Sequence, residues 1–220
     1  MKNHIMIIPH SGFEYGGFAR KKIFLKLKKK ERDNIFKIIY ISAYHNILNE
    51  HSYQWVANEL NYYFPNSEHI IYQPKNWSES EKISDKIIIN ENILLIGTTD
   101  LMHYGSRFNN EGNYKVKQMN RSERRKWKTM KEKNIINSFL KPKSELMKKI
   151  YLLENNICGP YSIYTILRFI EKYYPKKRGE IISYYDSLDK RYIKKKKLIN
   201  DNESSDANSN DFVSYISIIY

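Results

Sequence analysis

The chain has 220 residues and a formal net charge of +14, with 38 Lys or Arg against 24 Asp or Glu, and this length suits one domain with a substantial core. Its single cysteine excludes an internal disulfide and any multi-cysteine zinc or iron–sulfur site, so a reducing, cytoplasmic setting is expected. No apolar run approaches the roughly 18 residues of a membrane span, so we expect no membrane partner.

The first half of the chain predicts alternating strands and helices. An apolar run at 5–8, a turn that contains glycines, and a helical pattern over about 18–33 form a first β–α unit. The apolar run 35–41 and the helical pattern 52–64 form a second one. Continuous apolar runs are typical of strands buried on both faces. Three further runs predict strands: 69–72, 87–89 and 93–96.

The second half predicts a long loop followed by helices and two more strands. The loop covers 104–121, and the charged segment 194–210 is predicted to be flexible because it has few apolar residues. Helices are predicted over 122–140, 143–154 and from 158 to about 174, and strands over 180–185 and 212–220. The strand–helix rhythm predicts a single α/β domain over 1–220, with a mostly parallel central sheet flanked by helices on both faces.

Chemically distinctive side chains follow the predicted strands, where open α/β sheets bind ligands. His10 follows the first strand, His45 the second, and Asp100 and His103 follow the strand that ends at 96. Cys158 begins a helix, where the backbone N–H groups would lower its thiol pKa. Two imidazoles and a thiolate would form a metal site with open positions. Asp100 and His103 would orient a ligand or transfer protons.

Structural roles are the alternative for each of these residues. A lone cysteine is more often a small buried side chain than a ligand, and most histidines lie on the surface or cap helices. The glycines at 12, 16 and 17 do not have the spacing of a phosphate-binding loop and indicate a tight turn instead.

Five segments, in the same order along the chain, resemble motifs of the Memo family. Segment 8–17 resembles the family's Pro-His-Ala-Gly-Tyr-x-Tyr-x-Gly opening, and 97–105 resembles its Ser-Ser-Asp-x-x-His-Tyr/Trp-Gly segment. Segment 156–159 resembles its Ile-Cys-Gly helix start, 184–189 its Tyr-x-x-Ser-x-Asp stretch, and 213–215 its closing Val-Ser-Tyr strand. The resemblance implies a fold similar to that of class III extradiol dioxygenases.

The resemblance also implies a ligand set. By position in the motifs, the metal ligands are His10, His45 and Cys158, and Asp100 and His103 line the pocket as catalytic candidates.

The second ligand of that set has a rival. A further family motif, Glu-His-Ser-x-Glu, matches 50–53, so His51 competes with His45 for the second position. The same motif departs at Gln54, which replaces a carboxylate, and Asn210 stands where the family tends to have Asp. Metal binding could therefore persist without catalysis, and the sequence leaves enzymatic activity open.

Three functions compete on these observations. The leading hypothesis is a mononuclear iron or copper site with redox or dioxygen chemistry on an unknown small molecule or peptide. The second is a non-catalytic module that binds a peptide or a protein in the same crevice. Its candidate lining consists of aromatic residues: Phe13, Tyr15, Trp55, Tyr104 and Phe108. The third is nucleic-acid association through the basic surface, which is disfavoured because basic and acidic residues interleave along the chain.

Overall fold

The computed structural model describes residues 4–44, 52–90, 92–104, 120–154, 157–187, 189 and 212–220, apart from the side chains of 121, 124 and 125. Most of the predicted loop at 104–121 and all of the predicted flexible segment at 194–210 lie outside these residues.

Seven strands among the described residues form one mixed sheet. They are β1 (His4–Ile8), β2 (Lys37–Ile41), β3 (Glu68–Tyr72), β4 (Ile93–Thr98), β5 (His103–Tyr104), β6 (Glu180–Asp186) and β7 (Phe212–Ile219). The order is β3-β2-β4-β1-β7-β5, and β6 also pairs with β7. The strands β3, β2, β4 and β1 are parallel, whereas β7 is antiparallel to β1, β5 and β6.

The prediction of a mostly parallel sheet is therefore wrong for half of the strand pairs, which are antiparallel. Parallel neighbours need a crossover connection, and the strand–helix alternation that supplies one ends at β4. Beyond β4 the helices come in succession, and the two strands that follow, β6 and β7, pair antiparallel with each other.

Seven helices lie in the described parts of the chain. They are α1 (Phe13–Phe24), α2 (Lys29–Asp33), α3 (Ala57–Tyr63), α4 (Trp77–Lys86), α5 (Arg121–Leu140), α6 (Ser144–Glu154) and α7 (Pro160–Tyr173). The single helix predicted over 18–33 is two helices, and the strand predicted at 87–89 is wrong, because Ile87 caps the end of the unpredicted α4. The signal for α4 is Asn76, whose side chain accepts a hydrogen bond from the Glu79 amide at 2.9 Å.

Helices cover both faces of the sheet, as predicted. Successive side chains of a strand point to opposite faces. In β1, Ile5 and Ile7 belong to the core under α5, α6 and α7, whereas Met6 and Ile8 belong to the core under α1 and α3. The four residues 5–8 are completely buried, which is what their continuous apolar run predicts.

No helix in the described part of the chain is long and apolar enough to cross a membrane.

Candidate functional site

Three parallel strands end at the same edge of the sheet. Ile8 at the end of β1 is paired with Thr98 at the end of β4, and Ile41 at the end of β2 is paired with Gly97. The residues that follow these strands are therefore neighbours in space. This edge is where open α/β sheets place their ligands.

Asp100 connects two predicted ligands at this edge. The His10 amide donates to Oδ1 of Asp100 at 3.1 Å, and the Cys158 amide donates to the carbonyl oxygen of Asp100 at 2.9 Å. The second bond forms an isolated antiparallel bridge between Asp100 and Cys158. Residues far apart in the sequence thus flank one buried carboxylate.

The imidazole of His10 lies between that carboxylate and an indole ring. Its Nε2 is 3.8 Å from Oδ2 of Asp100, and Trp55 stacks on it with ring centroids 6.2 Å apart and an interplanar angle of 24°. His10 is 2% exposed, so its orientation is restricted by packing. Burial raises the pKa of the Asp100 carboxyl, while His103 and the His10 amide act in the opposite direction.

Cys158 lies just outside helix α7. It is partly exposed, and the N-cap of α7 is Gly159, whose φ of +79° is in the left-handed region. Desolvation raises the pKa of the Cys158 thiol, and the Asp100 carboxylate raises it further. This direction is opposite to the predicted lowering, because Cys158 precedes the N-cap of α7 and its thiol is shielded from water. A coordinated cation would reverse the balance.

The sequence of the chain also matches a known protein family. The sequence model of the Memo-like protein family matches residues 70–214, about two thirds of the chain. The chain belongs to the Memo-like protein family. The match includes Asp100, His103 and Cys158, whereas His10 and His45 precede it. A search of the curated proteins finds no match.

Both candidates for the second histidine of this Memo-like protein, His45 and His51, lie outside the described residues. The described residues on either side of them meet at the same edge of the sheet. The Ala43 amide is 3.0 Å from Oγ of Ser52 and 3.1 Å from Oγ1 of Thr98. His45 follows Ala43 by two positions and His51 precedes Ser52 by one, so both stay candidates.

The segment 101–103 is held by hydrogen bonds to β7 and to α5 and by one hydrogen bond within the segment. Leu101 donates its amide to the Ser214 carbonyl of β7 at 2.8 Å, and the Met102 amide donates to Oε1 of Glu132 at 3.2 Å. Nδ1 of His103 is 2.9 Å from the Leu101 carbonyl, which only accepts, so Nδ1 carries a proton. His103 is partly exposed and therefore accessible to a ligand.

Glu132 is a supporting residue that the sequence reasoning missed. It is fully buried on α5, and besides the Met102 amide it accepts a hydrogen bond from the Tyr184 hydroxyl. Burial raises the pKa of its carboxyl, opposed by Tyr184 and by the nearby Lys128. The signal in the sequence is one acidic residue on a helix face shared with Ile135, Ile136 and Phe139.

Within the described ranges, no group of three or more His, Cys, Asp and Glu side chains is placed to hold a metal ion. The donors that are described fit part of such a site. Nε2 of His10 and Oδ2 of Asp100 are 3.8 Å apart, so an ion bound to His10 would have a carboxylate close by to balance its charge. Imidazole and thiolate donors together suit a transition metal ion.

Proposed function

We propose that this Memo-like protein binds one redox-capable metal ion, iron or copper, at the edge where β1, β2 and β4 end. His10, Cys158 and either His45 or His51 would hold it. The observation that carries this proposal is the meeting of His10 and Cys158 at Asp100, to which both donate their amides. A fold similar to that of extradiol dioxygenases is part of the same proposal.

A bound ion of this kind would supply electron transfer and activation of dioxygen. The chain's own residues have separate tasks. Asp100 fixes the backbone of His10, and Trp55 shields one face of its imidazole from water. His103, oriented through Nδ1 at the Leu101 carbonyl, would exchange a proton with a small molecule or peptide bound at this edge.

Metal analysis of the purified protein tests the proposal directly. We expect about one iron or copper per chain in the wild type and a loss of more than about tenfold in His10→Ala and Cys158→Ser, because each removes one ligand. The matched control is His69→Ala on β3, an imidazole outside the proposed ligand set whose Nδ1 is 2.6 Å from the Tyr53 hydroxyl. Undiminished metal in both ligand variants would contradict the proposal.

The same measurement decides between the two candidates for the second histidine. We expect one of His45→Ala and His51→Ala to lose its metal and the other to keep it, since only one of them belongs to the ligand set. Equal metal contents in both variants and the wild type would remove the second histidine from the proposal.

Exposed aromatic side chains favour a second candidate, recognition of a peptide or protein at the same edge. Phe13 is 67% exposed and Trp55 is 41% exposed, and both lie close to His10 in the chain or in space. Tyr104 is buried against Phe212 and belongs to the core, and Phe108 lies outside the described residues.

A capture experiment with host extract tests this second candidate. We expect Phe13→Ser to release a partner that the wild type retains, because Phe13 offers the larger exposed apolar surface. The control is Leu153→Ser on α6, which replaces a side chain that is 85% exposed elsewhere. Retention by Phe13→Ser equal to that of the wild type would contradict this function.

A further inference from the structure

The guanidinium of Arg20 is completely buried, which is rare for a charged side chain. Nε and Nη2 both donate to Oε1 of Glu59, at 2.9 and 2.5 Å. Nη1 donates to two backbone carbonyls, those of Pro9 at 3.1 Å and Ser11 at 2.6 Å. Arg20 therefore links helix α3 to the turn that follows β1.

His10 is the residue between those two carbonyls. The carbonyls of Pro9 and Ser11 both accept from Arg20, and the His10 amide donates to Asp100. Side chains thus satisfy one backbone group on each of three consecutive residues. Because these bonds restrict the backbone on both sides of His10, they also restrict the direction of its imidazole.

The segment 55–59, which contains Glu59, also contacts the imidazole of His10. Trp55, which stacks on His10, precedes Glu59 by four positions. Arg20 is bound to Glu59, so the backbone of the His10 turn and the ring that covers its imidazole are held by one short stretch.

An apolar side chain of similar volume at position 20 would avoid the free-energy cost of burying a charge. Buried ion pairs often contribute little to stability when compared with well-packed apolar residues of similar size. The arrangement of Arg20 fits another role, because a planar fork can reach a carboxylate and two carbonyls at fixed angles. A lysine in its place has a single donor atom.

Gly16 leaves the room that the guanidinium needs. A Cβ at this position would lie 2.5 Å from Nη1 of Arg20 and 3.0 Å from the carbonyl oxygen of Ser11. Gly16 lies inside α1, where glycine is unfavourable by about 1 kcal/mol relative to alanine. The close approach of Arg20 to the turn explains its presence.

We infer that Arg20, held by Glu59, is a positioning residue for His10, whose imidazole it keeps directed toward the proposed metal. The inference rests on the proposed function, since it assigns Arg20 to the same site. It predicts that Arg20 controls metal affinity without touching the metal.

Titration with Co²⁺ under reducing conditions tests the inference. The probe reports affinity, and its thiolate-to-cobalt absorption reports whether Cys158 is bound. The variants are Arg20→Lys, which keeps the charge, and the double variant Arg20→Met/Glu59→Leu, which keeps apolar volume. The matched control for stability is Phe139→Leu, a fully buried residue in the core under α5.

We expect both Arg20 variants to bind Co²⁺ at least about tenfold more weakly than the wild type, because supporting residues contribute this much to metal affinity. At saturation they should keep the thiolate absorption, which Cys158→Ser loses. The Co²⁺ affinity of Phe139→Leu should stay within about twofold of the wild-type affinity. This should hold even if its thermal unfolding temperature falls as much as that of the Arg20 variants. Should the double variant not fold, Arg20→Lys decides alone.

The outcomes separate the inference from the function on which it rests. Wild-type affinity in the Arg20 variants, with binding lost in Cys158→Ser, overturns the positioning role and leaves the metal site standing. Equal weakening in Phe139→Leu also overturns it, since affinity would then follow stability. A wild type that does not bind Co²⁺ overturns both.

Discussion

Replacing Glu59 with alanine is expected to lower the free energy of unfolding by about 3 kcal/mol, because it removes the carboxylate that pairs with a fully buried guanidinium. Breaking one partner of a buried pair is costly, since the other charge stays in a region from which water is excluded. Equilibrium unfolding in urea, monitored by tryptophan fluorescence, measures the change.

A double variant and an exposed pair serve as the controls. Arg20→Met/Glu59→Leu removes both charges, so it should recover most of the stability that Glu59→Ala loses. Glu180→Ala breaks an exposed pair with Lys26 at 3.3 Å and should change the free energy by less than about 1 kcal/mol. A Glu59→Ala effect no larger than that of Glu180→Ala would mean that the Arg20 environment is open to water.

The parallel half of the fold follows directly from the sequence. The runs at 5–8 and 93–96 are apolar at every position and too short for a typical helix, which favours strands covered on both faces. The direction of β7 could not be predicted in the same way. Its residues are nearly all buried, but burial is the same for parallel and antiparallel neighbours, and the choice depends on how the chain returns to the sheet.

Some residues of the candidate site can be predicted from the sequence and others cannot. His10 and Asp100 are predictable because they follow apolar runs, and Cys158 because it directly precedes a helical pattern. All three also match family motifs. Arg20 is not, since it precedes two lysines in one basic stretch, and Lys21 and Lys22 are exposed. Only the rotation of α1 against the sheet turns one of the three toward the core, and that rotation depends on tertiary packing.

Two structural features explain why Gly159, the residue after Cys158, is a glycine. Its φ of +79° is unfavourable for other residues by about 1–2 kcal/mol. A Cβ there would also lie 2.6 Å from Cβ of Ala43 and 2.9 Å from the carbonyl oxygen of Thr98. The turn at Gly159 is therefore packed against the ends of β2 and β4, which is what brings Cys158 to Asp100.

Gly159→Ala is accordingly expected to lower the free energy of unfolding by about 3 kcal/mol, from backbone strain together with overpacking against a strand end. Urea unfolding measures it. Gly12→Ala is the matched control, because a Cβ at Gly12 meets no atom within 4 Å and its φ is −49°. That control should cost less than about 1 kcal/mol. If both variants unfold like the wild type, Cys158 is not held in place by this contact, and its approach to Asp100 must depend on the 2.9 Å backbone bond alone.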